Sequence, residues 1–231
     1  MTQIPFDFDH LPALGGEDFL VAPCNGEAVQ WVERWPHWPQ AVLVISGPQG
    51  SGKTHLAHVF QAISGAALVS PQSLKALGAD GALAGHPALV VEDAEAFLAA
   101  GLEEELLHLY NLAVEVDTKI LMTAVQPPAR WGVALKDLSS RLNTAQVAEI
   151  KPPDDALLAA LIVKQFADRQ MTVDQDVLSY MLARMERTFA GVRGLISAID
   201  ALSLAEKRAI TKPLVRRVLD ALDAQSEDQA G

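Results

Sequence analysis

One short segment constrains the fold of this chain more than any other. Residues 47–54 read G-P-Q-G-S-G-K-T and match the pattern G-x-x-x-x-G-K-[ST] at every defined position. The segment follows the apolar run A-V-L-V-I-S of residues 41–46, which is typical of a strand buried on both faces. A helix is expected after it, and this strand–loop–helix context is the one that a phosphate-binding loop requires.

The residue types of this loop suit phosphate chemistry. Its glycines let the backbone approach an anion closely, and the amide N–H groups and the helix N-terminus then face the charge. Lys53 would reach the β- and γ-phosphates of a nucleotide, and Thr54 would bind Mg²⁺. The alternative is a glycine-rich turn with an unrelated lysine. The loop residues expected to contact the nucleotide are Gly47, Gly50, Ser51, Gly52, Lys53 and Thr54.

An acidic pair follows a second apolar run. Glu92 and Asp93 come directly after A-L-V-V, where a nucleotide site of this class needs a carboxylate to hold Mg²⁺. The usual order is Asp and then Glu, with the second carboxylate orienting the attacking water. Here Glu92 takes the metal position and Asp93 the base position, and a shift of about 1 Å can cost roughly a hundredfold in rate. The alternative interpretation is a solvated strand end.

The hydrophobic pattern divides the chain near residue 151. Up to that point short apolar runs alternate with helical stretches, which predicts an α/β domain with a parallel sheet and helices on both faces. After Pro152 and Pro153 the period becomes 3.6 through four successive segments, which predicts a small all-α domain. We therefore expect an extended tail at residues 1–18, an α/β nucleotide-binding domain at 19–151 and a helical lid domain at 152–231.

Composition excludes several classes of protein. Of the 231 residues, 50% are hydrophobic and 20% are charged, which is typical of a globular chain. A formal net charge of −11 argues against autonomous, sequence-specific DNA binding, because DNA phosphates would repel the chain. The single cysteine, Cys24, excludes a disulfide framework, and no signal peptide or apolar run of membrane-spanning length is present. These features predict a cytoplasmic protein without membrane association.

Several motifs, taken in order, resemble the AAA+ family. They are the phosphate-binding loop, T-A-V-Q-P-P at residues 123–128, L-S-S-R-L at residues 138–142, and a lid helix that carries Val192 and Arg193. Within this family the chain is most similar to the branch of the bacterial replication initiator DnaA, and especially to its short, Hda-like members. The resemblance extends from about Phe19 to Leu222 and implies a P-loop AAA+ domain followed by a helical lid.

The resemblance also assigns roles to individual residues. It places Phe19, Val21 and Asn25 in the segment that contacts adenine. Arg141 matches the arginine finger that completes the nucleotide site of a neighbouring subunit, with an exposed arginine in a surface ion pair as the alternative. Arg193 matches the lid arginine that senses the nucleotide, with a solvated helix face as the alternative.

One position departs from the family pattern. Val125 stands where the family has a polar residue, and its side chain cannot hydrogen-bond a phosphate or a water. Together with the reversed acidic pair, this argues against vigorous hydrolysis by the chain itself.

The N-terminal residues carry a short peptide motif. Gln3 is followed by Ile4, Phe6 and Phe8, and in an extended segment these three apolar side chains share one face. This arrangement suits a hydrophobic groove with Gln3 hydrogen-bonded at its edge. It is similar to the motif by which Hda-like proteins bind the β sliding clamp of DNA polymerase III. The alternative is a tail that packs on its own domain.

The resemblance implies a regulator of replication initiation. Such a protein binds ADP or ATP with Mg²⁺, is held on the sliding clamp, and stimulates ATP hydrolysis by DnaA through its arginine finger. The resemblance also allows this chain to assemble with further copies of itself. One alternative is an independent AAA+ ATPase that remodels replication complexes or loads a helicase. Another is an adaptor that binds its partners without nucleotide.

Overall fold

The structure, a computed structural model, describes residues 10–12, 18–206 and 208–230. These residues divide into two compact units, one ending at Lys151 and the other beginning at Pro152. The predicted clamp-binding residues Gln3, Ile4, Phe6 and Phe8 lie outside the described residues.

The first unit begins with a short antiparallel pair. Strand β1 (His10–Pro12) pairs with β2 (Asp18–Leu20), and Leu11 lies opposite Phe19. The sequence predicts an extended tail up to residue 18, and the described residues of that stretch, 10–12 and 18, are extended strand residues that take part in this pairing. Its physical reason lies in β2, because Phe19 and Leu20 are buried and hold the strand against the domain. The backbone groups of β2 can then pair with the preceding segment.

A parallel sheet forms the centre of the first unit. Its five described strands have the spatial order β4-β5-β6-β3-β7, and all their pairings are parallel. The strands are β3 (Val42–Ser46), β4 (Ala67–Val69), β5 (Ala88–Val91), β6 (Lys119–Ala124) and β7 (Gln146–Glu149). The predicted parallel sheet is confirmed, and every residue of β3 and β5 is buried, as their apolar runs indicate.

Helices cover both faces of this sheet. Val42 and Val44 of β3 share a core with four of the helices, α3 to α6, while the alternating residues Leu43 and Ile45 face the other side, where α2 contacts β5 and β6. The helices are α1 (Gly26–Glu33), α2 (Lys53–Ser64), α3 (Pro71–Leu83), α4 (Ala94–Ala99), α5 (Glu103–Glu115) and α6 (Lys136–Asn143), with a 3₁₀ turn at Pro128–Arg130.

The second unit is helical, as predicted. Its described residues form four helices, α7 (Asp155–Asp168), α8 (Gln175–Arg184), α9 (Phe189–Glu206) and α10 (Lys212–Ala230). The Asp154 side chain caps α7 by accepting a 2.8 Å hydrogen bond from the Leu157 N–H. Apolar side chains of all four helices form one core around Phe166, Met181, Ile196 and Val215. Among the described residues of the whole chain, no helix combines the length and apolar character needed to span a membrane.

Phe97 anchors α4, the short helix that follows the acidic pair. Its side chain is fully buried in the core between the sheet and α5. We expect Phe97→Ala to lower the free energy of unfolding by about 3–5 kcal/mol, because it leaves a cavity as well as losing apolar burial. Urea denaturation followed by circular dichroism measures this change. Leu77→Ala is the control, since Leu77 is 60% exposed, and its effect should stay within about 0.5 kcal/mol. Equal shifts in both variants would contradict the placement of Phe97.

Candidate functional site

The carboxyl ends of three neighbouring strands place the predicted site residues together. In the sheet register, Ser46 of β3 lies opposite Ala124 of β6, and Val91 of β5 lies opposite Met122. The phosphate-binding loop, the acidic pair and the segment after β6 therefore leave the same edge of the sheet side by side. Ligands of open α/β sheets bind at such an edge.

The glycines of the phosphate-binding loop occupy positions that other residues fill poorly. Gly50 and Gly52 have φ values of 80° and 90°, in the left-handed region that favours glycine. Gly47 packs against Ile150, where an added Cβ would lie 2.9 Å from both the Cβ and the carbonyl oxygen of Ile150. Its N–H donates to the carbonyl oxygen of Ala124 at 3.1 Å. The loop is thus fixed at its start and leads directly into the N-terminus of α2.

Lys53 lies at the start of α2 and points back onto the loop. Its Nζ donates to the carbonyl oxygens of Gly47 at 2.7 Å and Pro48 at 2.9 Å. Burial lowers the pKa of Lys53, and the carboxylates of Glu95 and then Asp93 offset part of this shift. The ammonium group therefore sits within electrostatic reach of both carboxylates, in the place where the motif predicts phosphates.

Two hydroxyl-bearing loop residues differ in their surroundings. The Ser51 hydroxyl is buried and has no hydrogen-bond partner among the described residues. Thr54, on the first turn of α2, is exposed. The unpaired hydroxyl of Ser51 is suited to hydrogen-bonding a phosphate oxygen, and the accessible hydroxyl of Thr54 is suited to binding the cation beside the phosphates.

The acidic pair follows β5 as predicted, but its two members have different surroundings. One carboxylate oxygen of Glu92, Oε1, is buried without a hydrogen-bond partner in the described part of the chain, which fits a group that binds a cation. Asp93 is exposed and has a positive φ of 53° at the N-terminus of α4. Its backbone N–H donates to Thr123 Oγ1 at 3.0 Å, which joins the pair to β6.

The described residues contain no cluster of three or more His, Cys, Asp and Glu side chains that could hold a metal ion. A Mg²⁺ ion at Thr54 and Glu92 would therefore take most of its ligands from phosphate and water, as Mg²⁺ commonly does in nucleotide sites. The residues present fit that kind of site.

Glu95 is a residue of this site that the sequence analysis missed. Its carboxylate accepts the Val125 N–H at 2.9 Å and 3.1 Å through its two oxygens, and the Gln126 N–H at 2.9 Å. The signal available in the sequence was a carboxylate in the first turn of a helix after the acidic pair. Its partners lie 30 and 31 residues away, so the sequence alone gave no reason to join them.

Phe19 and Asn25 of the predicted adenine segment have different positions. The Phe19 ring stacks on His55, with ring centroids 5.1 Å apart, and it lies where a side chain on Gly52 would collide with it. Asn25 is buried; its Oδ1 accepts the Ala22 N–H at 2.7 Å and its Nδ2 donates to the Leu20 carbonyl oxygen at 2.9 Å. Phe19 thus lies at the phosphate-binding loop, Val21 is partly exposed, and the Asn25 side chain shapes the backbone of the segment.

Arg141 is exposed on the last turn of α6, beside a surface cavity of about 470 Å³. The cavity is lined by Leu107, Asn111, Asp137, Ser140, Arg141 and Thr144. In the described part of the chain its guanidinium has no ion pair, hydrogen bond or aromatic partner, so the surface ion pair considered from the sequence is not found. Arg193, exposed on α9 of the second unit, likewise has none within the described ranges.

The other arginines of the chain are engaged, which makes these two distinctive. Arg34 and Arg184 lie over the rings of Trp31 and Tyr180, and Arg130 donates to Gln126. The arginines in ion pairs are Arg169, Arg187, Arg208, Arg216 and Arg217.

Gly52 offers a direct test of the loop geometry. We expect Gly52→Ala to destabilise the protein by about 1–3 kcal/mol, because its φ of 90° is strained for alanine and the new methyl group meets the Phe19 ring. Gly26→Ala is the matched control, since a Cβ there meets nothing within 4 Å and the position begins a helix. Thermal denaturation of both variants measures the difference. A Gly52→Ala variant as stable as the control would show that the loop differs from this geometry.

Similar solved structures share the fold of nearly the whole chain. Domain III of the Thermotoga maritima replication initiation protein DnaA has a TM-score of 0.74 and 20% identity, covering 88% of this chain and 94% of that one. DnaA bound to AMPPCP and single-stranded DNA has a TM-score of 0.64 and 19% identity, over 82% of this chain and 66% of that chain. AMPPCP-bound DnaA from Aquifex aeolicus has a TM-score of 0.65 and 18% identity, over 91% and 68%. The chain thus spans about two thirds of these last two proteins.

A family comparison adds information on the second unit. Residues 154–219 match the family model described as the lid domain of Hda. This match covers α7, α8, α9 and the first part of α10, the helices that form the second core. The second unit is therefore similar to the lid domain of Hda, and the fold of the chain is similar to that of DnaA domain III.

Proposed function

We propose that this protein is a regulator of replication initiation that binds adenine nucleotide and stimulates ATP hydrolysis by the initiator DnaA. The observation that carries the proposal is the exposed guanidinium of Arg141, which has no partner among the described residues and lies beside a polar cavity on α6. The Hda lid match and the DnaA-like fold support a role in replication.

Nucleotide binding is the first part of the proposal. The loop from Gly47 to Thr54 holds the phosphates, with the amide groups, Lys53 and the N-terminus of α2 facing them. The proposal assigns Phe19 and Val21 to the adenine and Arg193 to sensing the nucleotide. Mg²⁺, bound by Thr54 and Glu92, would neutralise phosphate charge. The AMPPCP in two of the similar DnaA structures supports an adenine nucleotide as the ligand.

Arg141 acts on a nucleotide bound by the partner. A guanidinium without a carboxylate partner can enter a neighbouring site without first breaking an ion pair, and its planar donors match phosphate oxygens. Such a finger stabilises the charge that develops on the transferred phosphoryl group and contributes roughly a thousandfold or more to the rate. The partner with this nucleotide is full-length DnaA.

Hydrolysis by the chain itself is slow on this proposal. Asp93, in the position of the water-orienting carboxylate, has a shorter side chain than the usual Glu. Val125 presents an apolar side chain, and its N–H is already bound by Glu95. The bound nucleotide is then mainly a structural ligand, and at a concentration of 100 times Kd it stabilises the folded protein by about 2.7 kcal/mol.

Localisation to replicating DNA is assigned to the N-terminal peptide. Gln3, Ile4, Phe6 and Phe8 would bind the groove of the DNA-loaded β sliding clamp as an extended segment. The formal net charge of −11 favours recruitment through such a protein rather than direct contact with DNA phosphates.

The arginine finger is tested in a mixed assay with DnaA and clamp-loaded DNA. We expect Arg141→Ala to remove stimulation of ATP hydrolysis by DnaA, a loss of about a thousandfold or more, because no cation then reaches the partner's phosphates. Lys136→Ala is the matched control, since Lys136 is an exposed cation on the same helix. Nucleotide and clamp binding of both variants should equal those of the unchanged protein. Undiminished stimulation by Arg141→Ala would remove the finger role.

An independent ATPase is the second candidate function, favoured by the complete phosphate-binding loop and its well-placed Lys53. Lys53→Ala separates the two functions. On the regulatory proposal, the unchanged chain alone shows little turnover and Lys53→Ala loses the rise in melting temperature caused by ADP or ATP. Substantial turnover of the isolated chain that disappears in Lys53→Ala would instead indicate a motor. An adaptor without nucleotide would show no rise in melting temperature in either protein.

A further inference from the structure

Glu95 joins two parts of the candidate site that are far apart in the sequence. It lies in the first turn of α4, and its carboxylate is fixed by the N–H groups of Val125 and Gln126 after β6. Hydrogen bonds to backbone N–H groups hold a carboxylate in one place more firmly than a flexible lysine partner would. Its negative charge therefore has a defined position.

The segment that Glu95 binds is also held from its other side. Trp131 Nε1 donates to the Gln126 carbonyl oxygen at 2.6 Å, and Arg130 donates to Gln126 Oε1 at 3.2 Å. The N–H groups of Val125 and Gln126, directly after β6, are bound by the Glu95 carboxylate and are unavailable to a phosphate. At this edge of the sheet the chain therefore presents the fixed negative charge of Glu95. A hydrogen-bond donor in the same place would instead favour phosphate binding.

This anion lies within electrostatic reach of the phosphate-binding loop. Of the two carboxylates that raise the pKa of Lys53, Glu95 has the larger effect and Asp93 the smaller one. Glu92, with its unpaired buried oxygen, follows the adjacent strand. Lys53 thus lies near two carboxylates, those of Glu95 and Asp93, and phosphates would add further negative charge.

We propose that Glu95 is a positioning residue that makes nucleotide binding dependent on Mg²⁺, because its fixed carboxylate repels the phosphates unless a divalent cation offsets the charge. The inference rests on the nucleotide binding proposed above, and it is independent of the role of Arg141. Glu95 itself need not contact the ion. Its effect is exerted through its charge and through the position of the segment after β6.

The test is the ratio of the ADP dissociation constant in EDTA to that in Mg²⁺, measured by calorimetry. We expect Glu95→Gln to lower this ratio about tenfold, mainly by strengthening binding in EDTA, as removal of one nearby charge predicts at an effective dielectric constant of about 20. Glu104→Gln removes an exposed carboxylate from α5 and should leave the ratio unchanged. Glu95→Asp keeps the charge and should retain the ratio of the unchanged protein even if overall affinity falls.

The outcomes separate this inference from the proposed function. A purely structural role would weaken binding equally in EDTA and Mg²⁺, so an unchanged ratio in Glu95→Gln would overturn the inference while leaving nucleotide binding intact. Failure of the unchanged protein to bind ADP or ATP in either condition would overturn both. If Glu95→Gln does not fold, as judged by circular dichroism, Glu95→Ala is the second neutral variant and must show the same fall in the ratio.

Discussion

Parallel pairing of β3 with β6 positions the central part of the candidate site, the phosphate-binding loop and the acidic residues beside it. The pairing continues one residue beyond the strands, where the Gly47 N–H donates to the Ala124 carbonyl oxygen. That hydrogen bond aligns the start of the phosphate-binding loop with the segment that Glu95 binds. Because β5 pairs with the other side of β6, the acidic pair is brought to the same edge. Backbone geometry rather than side-chain attraction therefore assembles the carboxylates around Lys53.

Charge is distributed differently in the two regions proposed to act on nucleotides. Around Lys53, the carboxylates of Glu95 and Asp93 outnumber the cation, and that of Glu95 is bound to backbone N–H groups. On α6, Arg141 stands exposed without a carboxylate partner among the described residues, although Asp137 lies one turn before it on the same helix. On the function proposed above, the region around Lys53 holds the chain's own nucleotide, and Arg141 acts on the nucleotide of a partner.

The sequence predicted the sheet, the loop and the helical second unit because each has a local signal. The apolar runs of β3 and β5, the glycine pattern and the 3.6 periodicity all lie within short windows. Helix α3 was not predicted, since Gly78 bends it and its apolar pattern is weak, although Ser70 and Ser73 form a capping box at its start. The contacts of Glu95 and the pairing of β1 with β2 depend on tertiary packing. Asn25 shows the converse case. The family resemblance identified this residue, but only the structure shows that its side-chain amide hydrogen-bonds the backbone of Ala22 and Leu20.

Ile150, which packs against Gly47 at the start of the phosphate-binding loop, limits how this sequence can vary. A methyl group placed on Gly47 would lie equally close to the Cβ and to the carbonyl oxygen of Ile150. The Ile150 N–H donates to the Ser46 carbonyl oxygen at 2.7 Å, which fixes this backbone in place. Every residue except glycine keeps that Cβ, and all residues keep the carbonyl oxygen, so a smaller side chain at position 150 would not remove the obstruction. Alanine at 47 therefore demands a rerouted backbone whichever side chain stands at 150, so the two positions should not covary.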